Sequence, residues 1–269
     1  MTTAKNAGLP QDDFLNVEIG MLFTASTNTA PSSFWFLCYI LSSKSLLAEV
    51  RGEISKIVTR KAINGIDTIE LDSTGFQQHC PLLISTWEET LRLVDSSSSV
   101  RMVAKDTLLA ESYLLKANSV IQMPSGTTHL STEIWGPDAA TFNPRRFLKT
   151  KSNEKLDAAG REKRKLQVQG YFPFGGGKHL CPGRHFAFVE VMSLVATIVY
   201  GFDIKMADGS AGFKAPKSDF QKMGTGVRKP VNDIDVLIKQ RSGFEGAKWT
   251  YTVGKETDIK TVSADEGLA

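Results

Sequence analysis

The stretch that decides the fold reads Phe174-Gly175-Gly176-Gly177-Lys178-His179-Leu180-Cys181-Pro182-Gly183. The glycines let the backbone take positive φ values and approach a flat ligand closely, because no Cβ stands in the way. Cys181 is expected at the N-cap of a following helix, with Pro182 at its first position. Free amides and the positive end of the helix dipole then favour the thiolate, which can bind iron. For a glycine turn alone, a buried structural cysteine at a helix start would be the preferred interpretation.

The composition is that of an ordinary globular protein. The chain has 269 residues, of which 41% are hydrophobic and 23% charged, enough for one sizeable core or two. The net charge of +3 and the scattered basic residues predict no nucleic-acid partner. Three cysteines, Cys38, Cys80 and Cys181, do not resemble a secreted disulfide framework, so a reducing compartment is favoured. The start has no apolar signal core and the longest apolar run, Phe34–Leu41, is short, so we expect no membrane crossing.

Apolar periodicity predicts four main helices. The first runs from about Asp12 to Ser42, with a turn that Pro31 is expected to kink or loosen. The second is amphipathic, marked by Leu47, Val50, Ile54 and Ile57, and leaves Lys44, Glu49, Arg51 and Glu53 facing water. The third covers about Pro81 to Leu93. The last, Pro182 to Tyr200, is apolar nearly all round and is therefore expected to be buried.

Turn residues separate the shorter elements. Short strands are predicted around Val100–Ala104, Tyr113–Leu115 and Val120–Met123. Pro144 to Gly170 is rich in Lys, Arg and Glu with little periodicity, which predicts a long, mobile surface connection. The polar tail after about Lys248 is expected to be partly disordered.

The cysteine stretch resembles the haem-thiolate signature of the cytochrome P-450 family, with Phe at Cys−7, Gly at Cys−4, a basic residue at Cys−2 and Gly at Cys+2. The resemblance implies that Cys181 is the thiolate ligand of a haem b iron. It also implies cofactor contacts from the rest of the stretch, namely Phe174, Gly175, Gly177 and Gly183. His179 stands where most relatives carry an arginine that reaches a haem propionate, and Arg101 occupies the place of another such arginine. The alternative to a propionate contact is that Arg101 is an ordinary solvent-exposed arginine on a strand.

Two further motifs carry the same resemblance. Glu89-Thr90-Leu91-Arg92 puts opposite charges at i and i+3 on one helical face, where Glu88 competes for the same arginine. Phe142-Asn143-Pro144-Arg145-Arg146-Phe147 resembles the family's Pro-x-Arg-Phe segment. The resemblance implies a buried triad of Glu89, Arg92 and Arg146 that locks the core around the cysteine loop. His129 and Trp135-Gly136-Pro137-Asp138-Ala139 resemble the stretch between these motifs.

The first helix indicates a branch of the family. Many relatives have an acidic residue before a threonine there, whereas this chain has Asn28-Thr29, which resembles the branch of sterol 7α- and 12α-hydroxylases and prostacyclin synthase. In a monooxygenase of this branch Thr29 would assist proton delivery and Asn28 would order water beside it, since an amide orients water but carries no proton. The branch contains both oxygen-activating and isomerising enzymes, so both reaction types stay open.

The resemblance, from about Asn16 to Lys239, implies a mainly α fold with small β-sheets. It corresponds to the C-terminal haem-binding half of the cytochrome P-450 fold at residues 1–247, followed by a tail at 248–269. The implied activity is a monooxygenase with O2, an NADPH-cytochrome reductase and a lipophilic small molecule as partners. The alternatives are an isomerase or dehydratase acting on a peroxide, or an inactive haem-binding fragment.

Location and substrate pocket follow from the same resemblance. A complete relative would lie at the endoplasmic reticulum membrane, while this chain, without an anchor, is expected to be soluble or peripheral. Small or apolar residues are expected to line the pocket at Phe23–Thr27, Ser97–Val100 and Gly224–Thr225.

Overall fold

The computed structural model describes residues 8, 10–148, 157–220 and 226–253. These residues form helices and four small sheets, as predicted. The helices are α1 (Gln11–Leu41), α2 (Lys44–Ile54), α3 (Phe76–His79), α4 (Pro81–Val94), α5 (Ser125–His129), α6 (Thr132–Trp135), α7 (Ala158–Gln169) and α8 (Arg184–Gly201). The strands are β1 (Val58–Ile63), β2 (Ile66–Asp72), β3 (Ser98–Met102), β4 (Thr107–Leu109), β5 (Tyr113–Leu115), β6 (Val120–Pro124), β7 (Phe202–Met206), β8 (Val236–Gln240) and β9 (Lys248–Thr252).

The main core lies where α1, α2, α4 and α8 pack against one another. Each helix contributes buried apolar side chains at helical spacing, and their burial is the main favourable term in folding. The core residues from these four helices are Phe36 and Ile40 of α1, Leu46, Val50 and Ile54 of α2, Leu82, Leu83, Trp87 and Leu91 of α4, and Phe188, Val191, Met192, Val195, Ala196 and Val199 of α8. The last helix of the sequence prediction therefore contributes more residues to this core than any of the other three helices.

α1 continues through Pro31 as one helix, and the kinked or loosened turn expected there stays a prediction. A proline removes only the one bond that its own nitrogen would make, here to the carbonyl of Thr27. The hydroxyls of Ser32 and Ser33 donate to the carbonyls of Asn28 and Thr29 at 2.7 and 2.9 Å. The turn after the proline is also held by the buried C-terminal half of the helix, which keeps the helical path.

The charged residues of α2 do more than face water, contrary to the prediction. Glu53 accepts hydrogen bonds from the amides of Leu82 and Leu83, each at 2.9 Å, at the start of α4. These amides have no partner within their own helix, so the carboxylate satisfies two of them. Arg51 does the reverse at the end of α8, where it donates to the carbonyls of Val199 and Phe202 at 2.8 and 2.9 Å. Charged side chains of α2 thus join three helices.

The sheets include one hairpin that the sequence analysis missed. β1 and β2 pair antiparallel through Asn64 and Gly65, which both have positive φ, as a tight two-residue turn requires. β9 pairs parallel to β2. The tail expected from residue 248 therefore begins with a strand of this sheet, and only residues 254–269 lie outside the described residues. The predicted strands correspond to β3, β5 and β6, and β3 pairs with β6.

The connection predicted from Pro144 to Gly170 contains α7 at Ala158–Gln169. Asp157 caps this helix by accepting from the amide of Gly160 at 2.8 Å. The helix has no buried residue, so its sequence shows no apolar periodicity and the helix was not predicted. The expectation of a surface segment holds for this helix, whereas Phe147 and Gly170 towards the two ends of the predicted connection are buried. The part at 149–156 lies outside the described residues.

α8 is less enclosed than its composition predicted. Phe186 and Leu194 are 68% and 46% exposed, although the opposite face is buried. The helix begins at Arg184 with Gly183 as its N-cap, so Cys181 and Pro182 lie in the preceding turn and not at the N-cap and first position as expected. By length and composition α8 could also span a bilayer, a property that core helices of soluble proteins share.

Candidate functional site

The cysteine loop is closed by backbone hydrogen bonds. The amide of Cys181 donates to the carbonyl of Phe174 at 2.9 Å, and the amide of Gly175 donates to Phe172 at 3.0 Å. Gly175 and Gly177 have φ values of 76° and 59°, which favour glycine. A Cβ added to Gly176 or Gly177 would meet no atom within 4 Å. The loop therefore presents open backbone against which a flat ligand can lie.

Cys181 differs from the other two cysteines in its access to a ligand. Its residue is partly exposed, whereas Cys38 and Cys80 are buried. Burial raises the pKa of both buried thiols to about 12, which keeps them protonated and unreactive. A Cβ built on Gly183 would lie 3.9 Å from the Cys181 sulfur, so a larger residue there would begin to cover it. Of the three cysteines, Cys181 is the one placed to bind an external group.

The structure brings Glu89, Arg92 and Arg146 together. Arg92 Nε and Nη2 donate to the two Glu89 oxygens at 2.8 and 2.9 Å, and Arg146 Nε lies 3.1 Å from both. The side chains of Glu89 and Arg92 are fully buried, and that of Arg146 is 10% exposed. Glu88, the competing carboxylate, instead hydrogen-bonds the hydroxyl of Tyr171. The carboxylate of Glu89 is thus shared by two guanidinium groups.

This triad clamps the segment between residues 129 and 147 onto α4. Arg92 Nη1 donates to the carbonyls of His129 and Ala139 at 2.5 and 2.6 Å. The amide of Asn143 donates to Glu89 at 3.0 Å. Arg146 also pairs with Asp138 at 2.9 Å, and this bond lowers the pKa of that carboxyl group. Both arginines also donate to backbone carbonyls, so the geometry of the triad suits holding chain segments together.

Arg101 and His179, the two residues expected near haem propionates, are accessible. Arg101 is partly exposed on β3 and donates to the carbonyl of Val100 at 2.8 Å. It has no carboxylate partner among the residues that the structure describes. His179 is exposed in the single turn Gly177–His179 before the cysteine. Their contact with a cofactor stays a prediction.

Asn28 and Thr29 lie partly exposed in the middle of α1. Asn28 Nδ2 donates to the carbonyl of Thr24 at 3.1 Å, whereas Oδ1 is buried and has no partner within the described chain. Gly226 passes so close to Asn28 that a Cβ there would collide with this oxygen. The carbonyl of Gly226 accepts from the amide of Ser96 at 2.7 Å. The unpaired Oδ1 of Asn28 therefore lies where three segments meet, namely α1, the end of α4 and the chain at Gly226.

Gly226 was missed by the sequence analysis, although the repeated glycine in Gly224-Thr225-Gly226 was a signal for a close backbone approach. Gly224 and Thr225, the expected pocket residues beside it, lie outside the described residues. Of the other expected pocket residues, Phe23 is 58% and Val100 is 51% exposed.

The comparisons with known proteins agree on one family. The family model named Cytochrome P450 matches residues 1–230. A cytochrome P450 monooxygenase of Gibberella zeae is 32% identical over 94% of this chain and 48% of its own length. Cytochrome P450 monooxygenase nodJ of Hypoxylon pulicicidum is 30% identical over 92% of this chain and 48% of its own.

A third relative bears on the branch. The 7-alpha-hydroxycholest-4-en-3-one 12-alpha-hydroxylase of Oryctolagus cuniculus is 30% identical over 81% of this chain and 44% of its own length. The predicted resemblance to sterol 12α-hydroxylases is thereby confirmed. The chain spans about half the length of the curated relatives it matches.

Proposed function

The chain belongs to the cytochrome P450 family, and on that premise we propose that it is the C-terminal, haem-binding half of a monooxygenase. Such an enzyme inserts one oxygen atom from O2 into a lipophilic substrate. The observation that carries the proposal is Cys181, an accessible thiol at the end of a glycine loop whose backbone is open on one side. We assign Cys181 as the thiolate ligand of a haem b iron.

The residues present fit haem. The described residues contain no cluster of three or more metal-ligating side chains, so a metal at Cys181 would take its other ligands from a bound group such as a porphyrin. Phe174, Gly175, Gly177 and Gly183 would form the cradle, and Arg101 and His179 would bind the propionates. When bound, the haem would supply O2 activation and oxygen transfer. The triad would keep the cradle in place.

Thr29 would assist proton delivery, and Asn28 would order water beside it. The unpaired Oδ1 of Asn28 can accept a hydrogen bond from water, and the water can pass a proton to the hydroxyl of Thr29. An amide itself carries no proton, so Asn28 would order the water and Thr29 would relay.

The names of the relatives favour the monooxygenase over the isomerase or dehydratase alternative, since they are monooxygenases and a hydroxylase. We further propose an NADPH-cytochrome reductase as the electron donor and the endoplasmic reticulum membrane as the location of the whole enzyme. The 12α-hydroxylase relative supports a lipophilic substrate of steroid size.

The assignment of Cys181 is tested by the CO difference spectrum of the reduced, haem-reconstituted protein. We expect a red-shifted, thiolate-type band that Cys181→Ala abolishes. Cys38→Ala and Cys80→Ala are matched controls, because these thiols are buried, and they should keep the band. An unchanged band in Cys181→Ala would refute the assignment.

The proton-delivery role is tested in a polypeptide that also supplies the remaining half of the relatives' length. Thr29→Ala should leave haem and substrate binding intact while diverting electrons to hydrogen peroxide, so less product forms per NADPH. Thr27→Ala is the control, since its hydroxyl donates to the Phe23 carbonyl at 2.9 Å. Equal coupling in wild type and Thr29→Ala would exclude the role, and product formed without NADPH would favour the isomerase.

A further inference from the structure

We propose that Asp95 and His129 form a buried positioning pair for the cysteine loop. In this pair Asp95 keeps the ring of His129 in one tautomer, and the ring holds the backbone that enters the loop. The inference rests on the proposed function only where haem is the readout.

The ring of His129 holds a backbone amide. His129 is fully buried between Tyr171 and Phe172, with ring centroids 5.6 and 5.3 Å away. Its Nε2 accepts a hydrogen bond from the amide of Phe172 at 3.1 Å. An imidazole nitrogen that accepts carries no proton, so a neutral ring must carry its proton on Nδ1.

Asp95 lies where its carboxylate favours the tautomer of His129 that is protonated on Nδ1. Its Oδ2 lies 3.7 Å from His129 Nδ1, and neither atom has a hydrogen-bond partner in the described part of the chain. The other oxygen of Asp95 is held by the amide of Ser97 at 3.1 Å. A carboxylate oxygen facing Nδ1 favours a proton there and disfavours a bare lone pair. The alternative tautomer would lose the bond to Phe172 and set two acceptors against each other.

The bond to Phe172 is coupled to the cysteine through two backbone contacts. The carbonyl of Phe172 accepts from Gly175, and the carbonyl of Phe174 accepts from Cys181, at 3.0 and 2.9 Å. On its other side, His129 is anchored by its carbonyl, which accepts from Arg92 of the triad at 2.5 Å. His129 therefore lies between the triad and the loop, and its ring sets where the loop begins.

Burial, together with the surrounding positive charges, keeps the ring neutral. Burial, followed by the positive charges of Arg92 and Arg228, lowers the pKa of His129 to about 3. Burial raises the pKa of Asp95 to about 6, against hydrogen bonds from Ser125 and Ser97 and the charge of Arg228. The other ionisable groups nearby, which interact with Tyr171 or with these arginines, are Glu88, Glu89 and Tyr39. A protonated ring could not accept from Phe172, so the contact requires the neutral form.

The tautomer is measured first, in the wild-type chain without haem. Long-range 15N NMR of the histidine rings at pH 7 should show His129 protonated on Nδ1 and bare on Nε2. A ring protonated on Nε2, or on both nitrogens, overturns the proposal. This measurement needs no variant and therefore does not depend on how a variant folds.

Three substitutions test, by hydrogen exchange, whether the ring of His129 holds the amide of Phe172. His129→Phe fills the site but cannot accept, and the Phe172 amide should exchange about fivefold to tenfold faster, as the loss of one net hydrogen bond implies. His129→Gln can accept from Phe172 and donate toward Asp95, so it should restore slow exchange. Asp95→Asn should give a mixture of ring tautomers. Amides of α2, far along the chain, should be unchanged in all three, and unchanged exchange at Phe172 in His129→Phe refutes the proposal.

The haem readout separates this inference from the proposed function. In the reconstituted protein His129→Phe should weaken or shift the thiolate-type CO band, and His129→Gln should retain it. If the wild type shows no such band while the tautomer and the exchange rates follow the expectation, the proposed function fails and the positioning pair stands. If the wild-type band is present and His129→Phe leaves it unchanged, the pair does not position the ligand.

Discussion

Glu89 is a buried carboxylate whose two oxygens accept hydrogen bonds from protein groups. Two guanidinium groups and the amide of Asn143 donate to its two oxygens. A buried charge is tolerated only when it is paired and hydrogen-bonded, because its desolvation costs several kcal/mol. The arrangement therefore specifies where α4 and the segment around Arg146 meet.

Removing this charge should destabilise the protein strongly. Glu89→Gln leaves the fully buried Arg92 without its counter-charge, and we expect a loss of roughly 3–5 kcal/mol in the free energy of unfolding, measured in urea. Glu49→Gln is the control, since Glu49 pairs with Arg145 while both side chains are about half exposed. That pair should contribute under about 1 kcal/mol. Similar losses in the two variants would show that the triad is not a structural clamp.

The raised pKa of Asp95 predicts how the stability of the protein depends on pH. Its pKa of about 6 lies above the usual value of 3.8, so the folded chain binds more protons between these values and stability falls as pH rises through that window. His129 acts in the opposite direction, because its pKa of about 3 lies below the usual 6.5 and stability rises with pH from 3 to 6.5. In the wild type the two effects largely cancel between pH 4 and 6.

Asp95→Asn removes the contribution of Asp95 and leaves that of His129. The variant should become more stable with rising pH from 4 to 6, and across that range its free energy of unfolding should rise by roughly 2 kcal/mol relative to that of the wild type. Urea unfolding at a series of pH values checks this. Parallel pH profiles for the two proteins would mean that Asp95 titrates normally.

At the scale of elements, α2 holds the neighbouring helices by their ends. Glu53 accepts from amides in the first turn of α4, and Arg51 donates to the carbonyl of Val199 in the last turn of α8. Both interactions complement the dipole of the helix they meet. These contacts were not predicted, because a charged residue on an amphipathic helix gives no sign of which distant helix end it will reach.

A conservative change at Glu53 tests this capping. Glu53→Gln keeps one acceptor oxygen and loses the charge, so one of the amides of Leu82 and Leu83 becomes unpaired. We expect a loss of about 1–2 kcal/mol in the free energy of unfolding. Glu18→Gln, at an exposed position of α1, should change it by less than about 0.5 kcal/mol. If Glu53→Gln and Glu18→Gln changed the free energy of unfolding equally, Glu53 would not act as a helix cap.

The sequence predicted the elements whose apolar residues repeat regularly. α1, α4 and α8 have such a repeat because one face of each is buried in the main core. α7 has no buried face, so no repeat marked it. β9 pairs with β2 although Lys248 lies 180 residues after its partner Thr68, and pairing over that distance depends on the packed core and leaves no local signal. In the candidate site the triad followed from a resemblance, whereas Asp95 and His129 are joined only by tertiary structure.

At the scale of the whole molecule, the N-terminal half of α1 has an uncovered apolar face. Leu15, Ile19 and Leu22 are 48%, 66% and 72% exposed, and their spacing of four and three residues puts them on one side of the helix. Phe23 beside them is 58% exposed. Apolar patches of this kind promote association, and the chain spans about half the length of its relatives.

We therefore expect the chain to self-associate through this face. Replacing Leu22 and Phe23 together by serine should reduce the self-association measured by sedimentation velocity at micromolar concentration. The free energy of unfolding should change by less than about 1 kcal/mol, because neither side chain is buried. Phe36→Ser is the contrasting control, since Phe36 is fully buried in the main core and its loss should cost about 3–5 kcal/mol. If the double serine variant associates as strongly as the wild type, another surface joins the copies, and the exposed sheet side chains Leu108, Leu109 and Tyr113 are then the next to substitute.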